Sequence, residues 1–147
     1  MGRLPVTTII LQGAPELQAA LRNASKDMKA AVAKAVTATG LELRGDVVKR
    51  IQHGPKTGRV YTRNGIRHQA SAPGQAPATD QGDLVLQTLF RTVSPLAVEV
   101  FNTMPRAVWL EYGTTRMAPR PVWRPAVEAM APKFRRRLLR ALDMSLD

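Results

Sequence analysis

The sequence predicts an α+β protein: a small antiparallel β-sheet, a long N-terminal helix packed on it, a protruding hairpin-and-loop arm and a C-terminal helix. Three patterns carry that expectation. An apolar stripe at spacings of three and four runs over residues 16–52, as one buried face of a helix requires. Short β-branched or apolar runs at residues 6–12, 84–93 and 96–102 have the length and composition of strands. A second helical stripe begins at Pro125.

The first strand, VTTIILQ, is closed by Gly13, and Pro15 then suits the first turn of a helix. The stripe that follows reads Leu17, Leu21, Ala24, Met28, Val32, Ala35, Thr39, Leu43, Val47 and Ile51. One unbroken helix over that stretch would be on the order of 50 Å long. Gly40 and Gly45 are its weak points, and His53-Gly54-Pro55 stops it. Residues 54–82 hold few large apolar side chains, too few to offset their own ordering entropy. Within them, Asn64-Gly65 between two short runs marks a β-hairpin, and a Pro/Gly-rich loop follows. Ser94-Pro95 separates the next two strands, with Leu96, Val98 and Val100 on one face and Glu99 opposite. The first turn after Asp83 can be helical, with Asp83 as its cap. In the closing helix Ala126, Met130, Phe134, Leu138 and Leu142 share a face, and Pro132 should kink or split it.

Composition narrows the functional classes. With 147 residues the chain is one domain, residues 1–147, with a single modest core. No cysteine means no disulfide scaffold, no thiol nucleophile and no Cys-based zinc site. No stretch approaches the roughly 18 apolar residues of a membrane span, the run Ile9-Ile10-Leu11 is too short for a signal peptide, and the protein, made in the cytoplasm, is expected to stay there. The histidines, His53 and His68, read as surface residues beside turns, and Asp80 and Asp83 gather no further acids. The glycines of residues 74–82 match no phosphate-binding loop. The expectation is therefore a protein that is not an enzyme and has no cofactor or metal. The formal charge of +11 favours phosphate, acidic protein surfaces or anionic lipid.

Residues 107–126, AVWLEYGTTRMAPRPVWRPA, concentrate the candidate functional positions. Trp109, Tyr112 and Trp123 are expected to anchor the fold. Gly113 and Thr114 form a turn, since glycine tolerates the left-handed conformation that ends a helix. Pro119 and Pro121 force extended chain, and Pro125 starts a helix. Glu111 can pair with Arg116 or Arg124, inside the chain or across a subunit boundary, or stand in solvent. The run Lys133, Arg135, Arg136, Arg137 and Arg140 can follow DNA phosphates, meet an acidic neighbour, or form a solvated helix face. The hairpin adds Lys56, Arg59, Arg63 and Arg67.

Two blocks of this chain resemble the tail-completion, or head–tail joining, proteins of long-tailed bacteriophages. The first is Ala107, Trp109, Leu110, Glu111, Tyr112, Gly113, Thr114, followed by Arg116, Met117, Pro121, Arg124, Pro125 and Ala126. The second is Ser71, Ala72, Pro73, Gly74, Pro77, Ala78, Gly82 and Leu84. Val122-Trp123 departs from the family's usual Phe-Leu. The resemblance implies a virion structural protein of the neck, a tail terminator forming a ring, most simply a hexamer, that joins the tail tube to the DNA-filled head. Its partners would be other copies of itself, the tail tube protein, head-closure or adaptor proteins, and genomic DNA passing non-specifically through the lumen, with no membrane. The arm, including Arg59, Tyr61, Arg63, Asn64, Gly65, Ile66, Arg67, Pro73, Gly74 and Pro77, would reach a neighbouring subunit or ring. The alternatives are a head-closure or adaptor ring on the portal and, from another class, a basic nucleic-acid-binding protein.

Overall fold

A computed structural model of the chain describes residues 7–12, 19 and 21–143, the first six as backbone. The expectations placed on Val6, Gly13, Pro15, Glu16 and Leu17 lie outside these residues. In order come β1 (Thr7–Gln12), α1 (Lys26–His53), β2 (Val60–Arg63), β3 (Ile66–Gln69), α2 (Asp83–Leu86), β4 (Thr88–Ser94), β5 (Ala97–Asn102), α3 (Pro105–Tyr112) and α4 (Trp123–Asp143). The α+β expectation holds. β1, β5 and β4 form an antiparallel sheet in that order, while β2 and β3 form a separate two-stranded sheet.

The long first helix is shorter than its stripe. Leu21 and Arg22 are helical, but the chain turns at Asn23 and restarts at Lys26. The cause is Ser25, whose Oγ accepts the Met28 N–H at 3.2 Å and so caps a new helix. Hydrophobic periodicity continues across that break because Leu21 and Met28 still pack into one cluster. α1 itself spans 28 residues, about 42 Å.

β5 sets the layers. Val98, Val100 and Asn102 point inward, while Glu99 faces the other side and pairs with Arg91. α1 lies across the inner face of β4 and β5, and α4 runs antiparallel along α1. The C-terminal half of α1 therefore meets the start of α4, in a cluster of Leu43, Val47, Ile51, Val100, Trp123 and Met130. Its N-terminal half meets the end of α4, through Val32, Val36 and Ala141. At Gly40 the helix and the sheet approach closely. A Cβ there would lie 2.6 Å from Val98 and 2.8 Å from Phe90, so packing explains this mid-helix glycine.

Buried polar groups are satisfied at the end of the central strand β5. Asn102 Nδ2 donates to the Leu84 carbonyl at 2.8 Å and to Thr88 Oγ1 at 3.0 Å, while its Oδ1 accepts the Met104 N–H. One side chain thus ties α2, β4 and the approach to α3. Asp83 is not the side-chain cap of α2. Gly82 occupies the cap position, its N–H donating to Thr79 Oγ1, and Asp83 instead pairs with Arg106. α4 is not split at Pro132, because Pro132 and Glu128, whose carbonyl loses its donor, are both exposed and water can serve it.

Candidate functional site

The joint between α3 and α4 is built on Glu111, which is 3% exposed. Its Oε2 accepts the N–H groups of Val122 (2.8 Å) and Trp123 (2.9 Å), and its Oε1 accepts that of Arg124 (2.8 Å). These amides open α4, where helical geometry leaves donors without partners and the dipole favours negative charge. The sequence-based pairing of Glu111 with Arg116 or Arg124 side chains is therefore corrected. Among the described residues neither guanidinium forms an ion pair, and Arg124 contributes only its backbone N–H. The carboxylate acts as a remote helix cap, held eleven residues upstream of the first amide it receives.

Gly113 makes this geometry possible. Its φ of 77° with ψ of 179° is open essentially to glycine alone. A Cβ would also stand 2.7 Å from the Met117 carbonyl and 2.9 Å from Pro119. The chain then folds back, with Thr114 N–H donating to Met117 C=O at 2.8 Å. Pro121 is half-buried and Pro125 lies in the first turn of α4, as expected of a residue without an N–H.

Both sequence blocks meet here. The Gly74 N–H donates to the Pro119 carbonyl at 2.9 Å, and Arg120 Nε donates to the Ser71 carbonyl at 3.2 Å. Ser71 and Pro77 are buried. Gln75 fastens the same loop, its Oε1 accepting from Thr57 and Ala72 backbone. The loop is thus part of the folded body at Ser71 and Pro77. Pro77, expected to reach a neighbouring subunit, is an internal packing residue; Pro73 and Gly74 remain exposed.

Of the three expected aromatic anchors, only Trp123 lies in the core, at 4% exposed. Trp109 and Tyr112 are corrected: they are 53% and 65% exposed. α3 buries Ala107 and Glu111, one turn apart, which turns Trp109 and Tyr112 to the opposite side. The result is an outward-facing aromatic pair one turn long, mounted on a rigid joint.

The hairpin presents a second exposed surface. Asn64 (φ 51°) and Gly65 (φ 77°) form the tight turn, and Val60, Tyr61 and Ile66 are all exposed. Arg59, Arg63 and Arg67 are exposed too. Asp80 ties this hairpin down, accepting from Arg63 Nη1 at 2.8 Å and lying 3.0 Å from His68 Nδ1. His68 is half-buried and stacked on Tyr61, with ring centres 5.4 Å apart, so it is not a plain surface histidine. No short sequence signal announced the link, because Asp80 lies twelve residues beyond His68.

The basic run on α4 also divides. Lys133 Nζ binds Glu42 Oε1 at 2.8 Å, and Arg137 binds the other oxygen of Glu42 while donating to Thr39 Oγ1 at 3.2 Å. Hydrogen bonds from Lys133 and Arg137 hold the Glu42 carboxyl below the usual glutamate range. These two cations therefore serve the α1–α4 contact rather than an outside ligand. Arg135, Arg136 and Arg140 stay exposed, with no ion pair among the described residues. Lys56, at the foot of the arm, donates to the Ala76 carbonyl, and its burial pushes its pKa down.

Among the described residues no three His, Asp or Glu side chains gather in a metal-holding group, and no helix is long and apolar enough to cross a membrane. No protein-family model, curated protein or solved structure matches the chain.

Proposed function

We propose that this protein is a structural component of the neck of a long-tailed bacteriophage. It acts as a tail terminator or tail-completion protein, closing as a ring, most simply a hexamer, between the tail tube and the DNA-filled head. The observation that carries the reading is the outward aromatic pair, Trp109 and Tyr112, mounted on the Glu111 joint, beside which Pro119 and Arg120 bind the loop of the second block. Large aromatics left in water beside a rigid frame have the character of interface hot spots. The exposed Val60, Tyr61 and Ile66 of the hairpin supply a second apolar surface on the same chain. Two different patches meeting head-to-tail close into a ring when the rotation between copies is right.

In this reading the work is assembly, without turnover, cofactor or metal. The hairpin reaches the next subunit, and the exposed cations meet acidic neighbours or DNA in the lumen. Deleting residues 62–69 is expected to leave folded monomers and no rings by size-exclusion chromatography with light scattering. Intact rings from that variant would remove the arm from the account. Mass spectrometry of purified particles tests the location: the polypeptide should be present in complete virions, and its absence would overturn the neck assignment. If the protein were instead a free duplex binder, its affinity would fall steeply with salt, by a slope of about 0.9 per phosphate contacted. Weak, shallow binding at physiological salt is expected.

A further inference from the structure

The seam between α1 and α4 holds an apolar groove of about 220 Å³ that the ring contacts above leave unused. Its floor is Leu43 and Met130, and its sides are Val127, Phe134 and Leu138. Ala131 and Arg135 stand exposed at its mouth. Small-molecule sites run to roughly 300–1,000 Å³, so this groove suits one or two inserted side chains better than a whole ligand. Val127, Ala131, Phe134 and Leu138 recur at four, three and four residues, a stripe along one side of α4. That is the register of a groove that receives the apolar face of another helix.

Charge selects the occupant. At about 100° per residue, Arg124 and Arg135 fall on the same flank of the stripe, with Leu139 just beyond them. Arg136 and Arg140 turn to the back of the helix. Both Arg124 and Arg135 are exposed without an acid partner among the described residues, and Glu128 is the one acid between them. A second copy of this chain is a poor fit. Among the described residues its hairpin and α4 set exposed apolar side chains beside Arg59, Arg63 and Arg67 and beside Arg135, Arg136 and Arg140, and α3 sets Trp109 and Tyr112 beside Arg106 with no exposed carboxylate. We infer that the α1–α4 groove docks a short amphipathic helix of an acidic protein, with apolar side chains inserted between Val127 and Leu138 and carboxylates on Arg124 and Arg135. The two arginines are eleven residues apart, so the matching carboxylates lie about 16 Å, three helical turns, apart. The inference goes beyond the neck reading and does not depend on it, because it uses neither the arm nor the Trp109–Tyr112 pair.

The test uses the full chain and a fluorescein-labelled helical peptide of about 16 residues, long enough to populate helix. It carries leucines at i, i+3, i+4 and i+7, with glutamates on both flanks. Fluorescence anisotropy should report binding by the native protein. Ala131 is exposed, so Ala131→Glu should leave the thermal melt in place and weaken binding at least about tenfold by blocking leucine burial. Arg135→Glu should weaken it several-fold and flatten its dependence on salt. The same peptide with lysine for glutamate should not bind. The inference is overturned if the native protein fails to bind, if Ala131→Glu binds unchanged, or if a version with serine for leucine binds equally well. It is also overturned if Ala131→Glu changes the self-associated mass of the protein alone, which would assign the groove to a second copy.

Discussion

Two glutamates hold α4, and they do so by different physics. Glu111 holds its start: buried, and bound only to backbone N–H groups. Glu42 holds its middle: its side chain and those of Lys133 and Arg137 are a third to a half exposed, and it binds charge. The first contact is shielded from water and fixed by main-chain geometry. The second is open to salt and to pH. The rigid end is the one that carries Trp109 and Tyr112, and this is what a surface needs if it is to present aromatics in a fixed direction to another molecule.

Removing Glu111 should cost most. Glu111→Ala leaves three amides at a buried helix start without their acceptor, a loss of about 3 kcal/mol. For a chain of this size that lowers the melting temperature by roughly 10 °C. Glu111→Gln, which keeps one oxygen and loses the charge, should fall between it and the native protein in urea denaturation. An Ala variant as stable as the native chain would mean water replaces the carboxylate, and the contrast would vanish. Gly113→Ala comes next, at about 2 kcal/mol for forcing a side chain into a glycine-only conformation. It should slow or prevent closure of the joint without touching the Glu42 contact.

Glu42→Gln should cost less than about 1 kcal/mol, because the contact is partly open to water, which screens it. Its loss should shrink further in high salt, whereas that of Glu111→Ala should not. The pH test has a fixed sign. Glu42 titrates below its ordinary value of 4.5 in the folded protein, so its contribution is complete above that pH. It should fade as pH falls through the lowered folded value. Native and Glu42→Gln melting curves should therefore converge in acid; a gap that widened there would contradict the assignment.

The same comparison explains what could be read from residues alone. The hairpin was legible because Asn64-Gly65 encodes its own turn, and β5 because alternation of Val98 and Val100 with Glu99 is local. The start of α4 was legible from Pro125. The acceptor for its amides was not, because a backbone N–H leaves no mark in a sequence and Glu111 had visible arginines nearby. Aromatic size alone points to burial of Trp109 and Tyr112, yet both stand exposed. The one-turn spacing of Ala107 and Glu111 decides which side of α3 faces inward, and that choice depends on tertiary packing. Glu42 lies more than ninety positions from its partners, so only the antiparallel pairing of α1 and α4 brings them together. Ser25 ended one helix and began another under a stripe that continued unchanged on both sides.

The most direct test is sedimentation of the native protein beside a Trp109→Ala/Tyr112→Ala variant, with circular dichroism to confirm that both are folded. Both side chains are exposed, so the substitutions should leave the melt nearly unchanged. The account predicts a closed oligomer of defined mass, a multiple of the 16.1 kDa chain, for the native protein and monomer for the variant. A native protein that stays monomeric at every concentration, or a variant that assembles as the native one does, would contradict it.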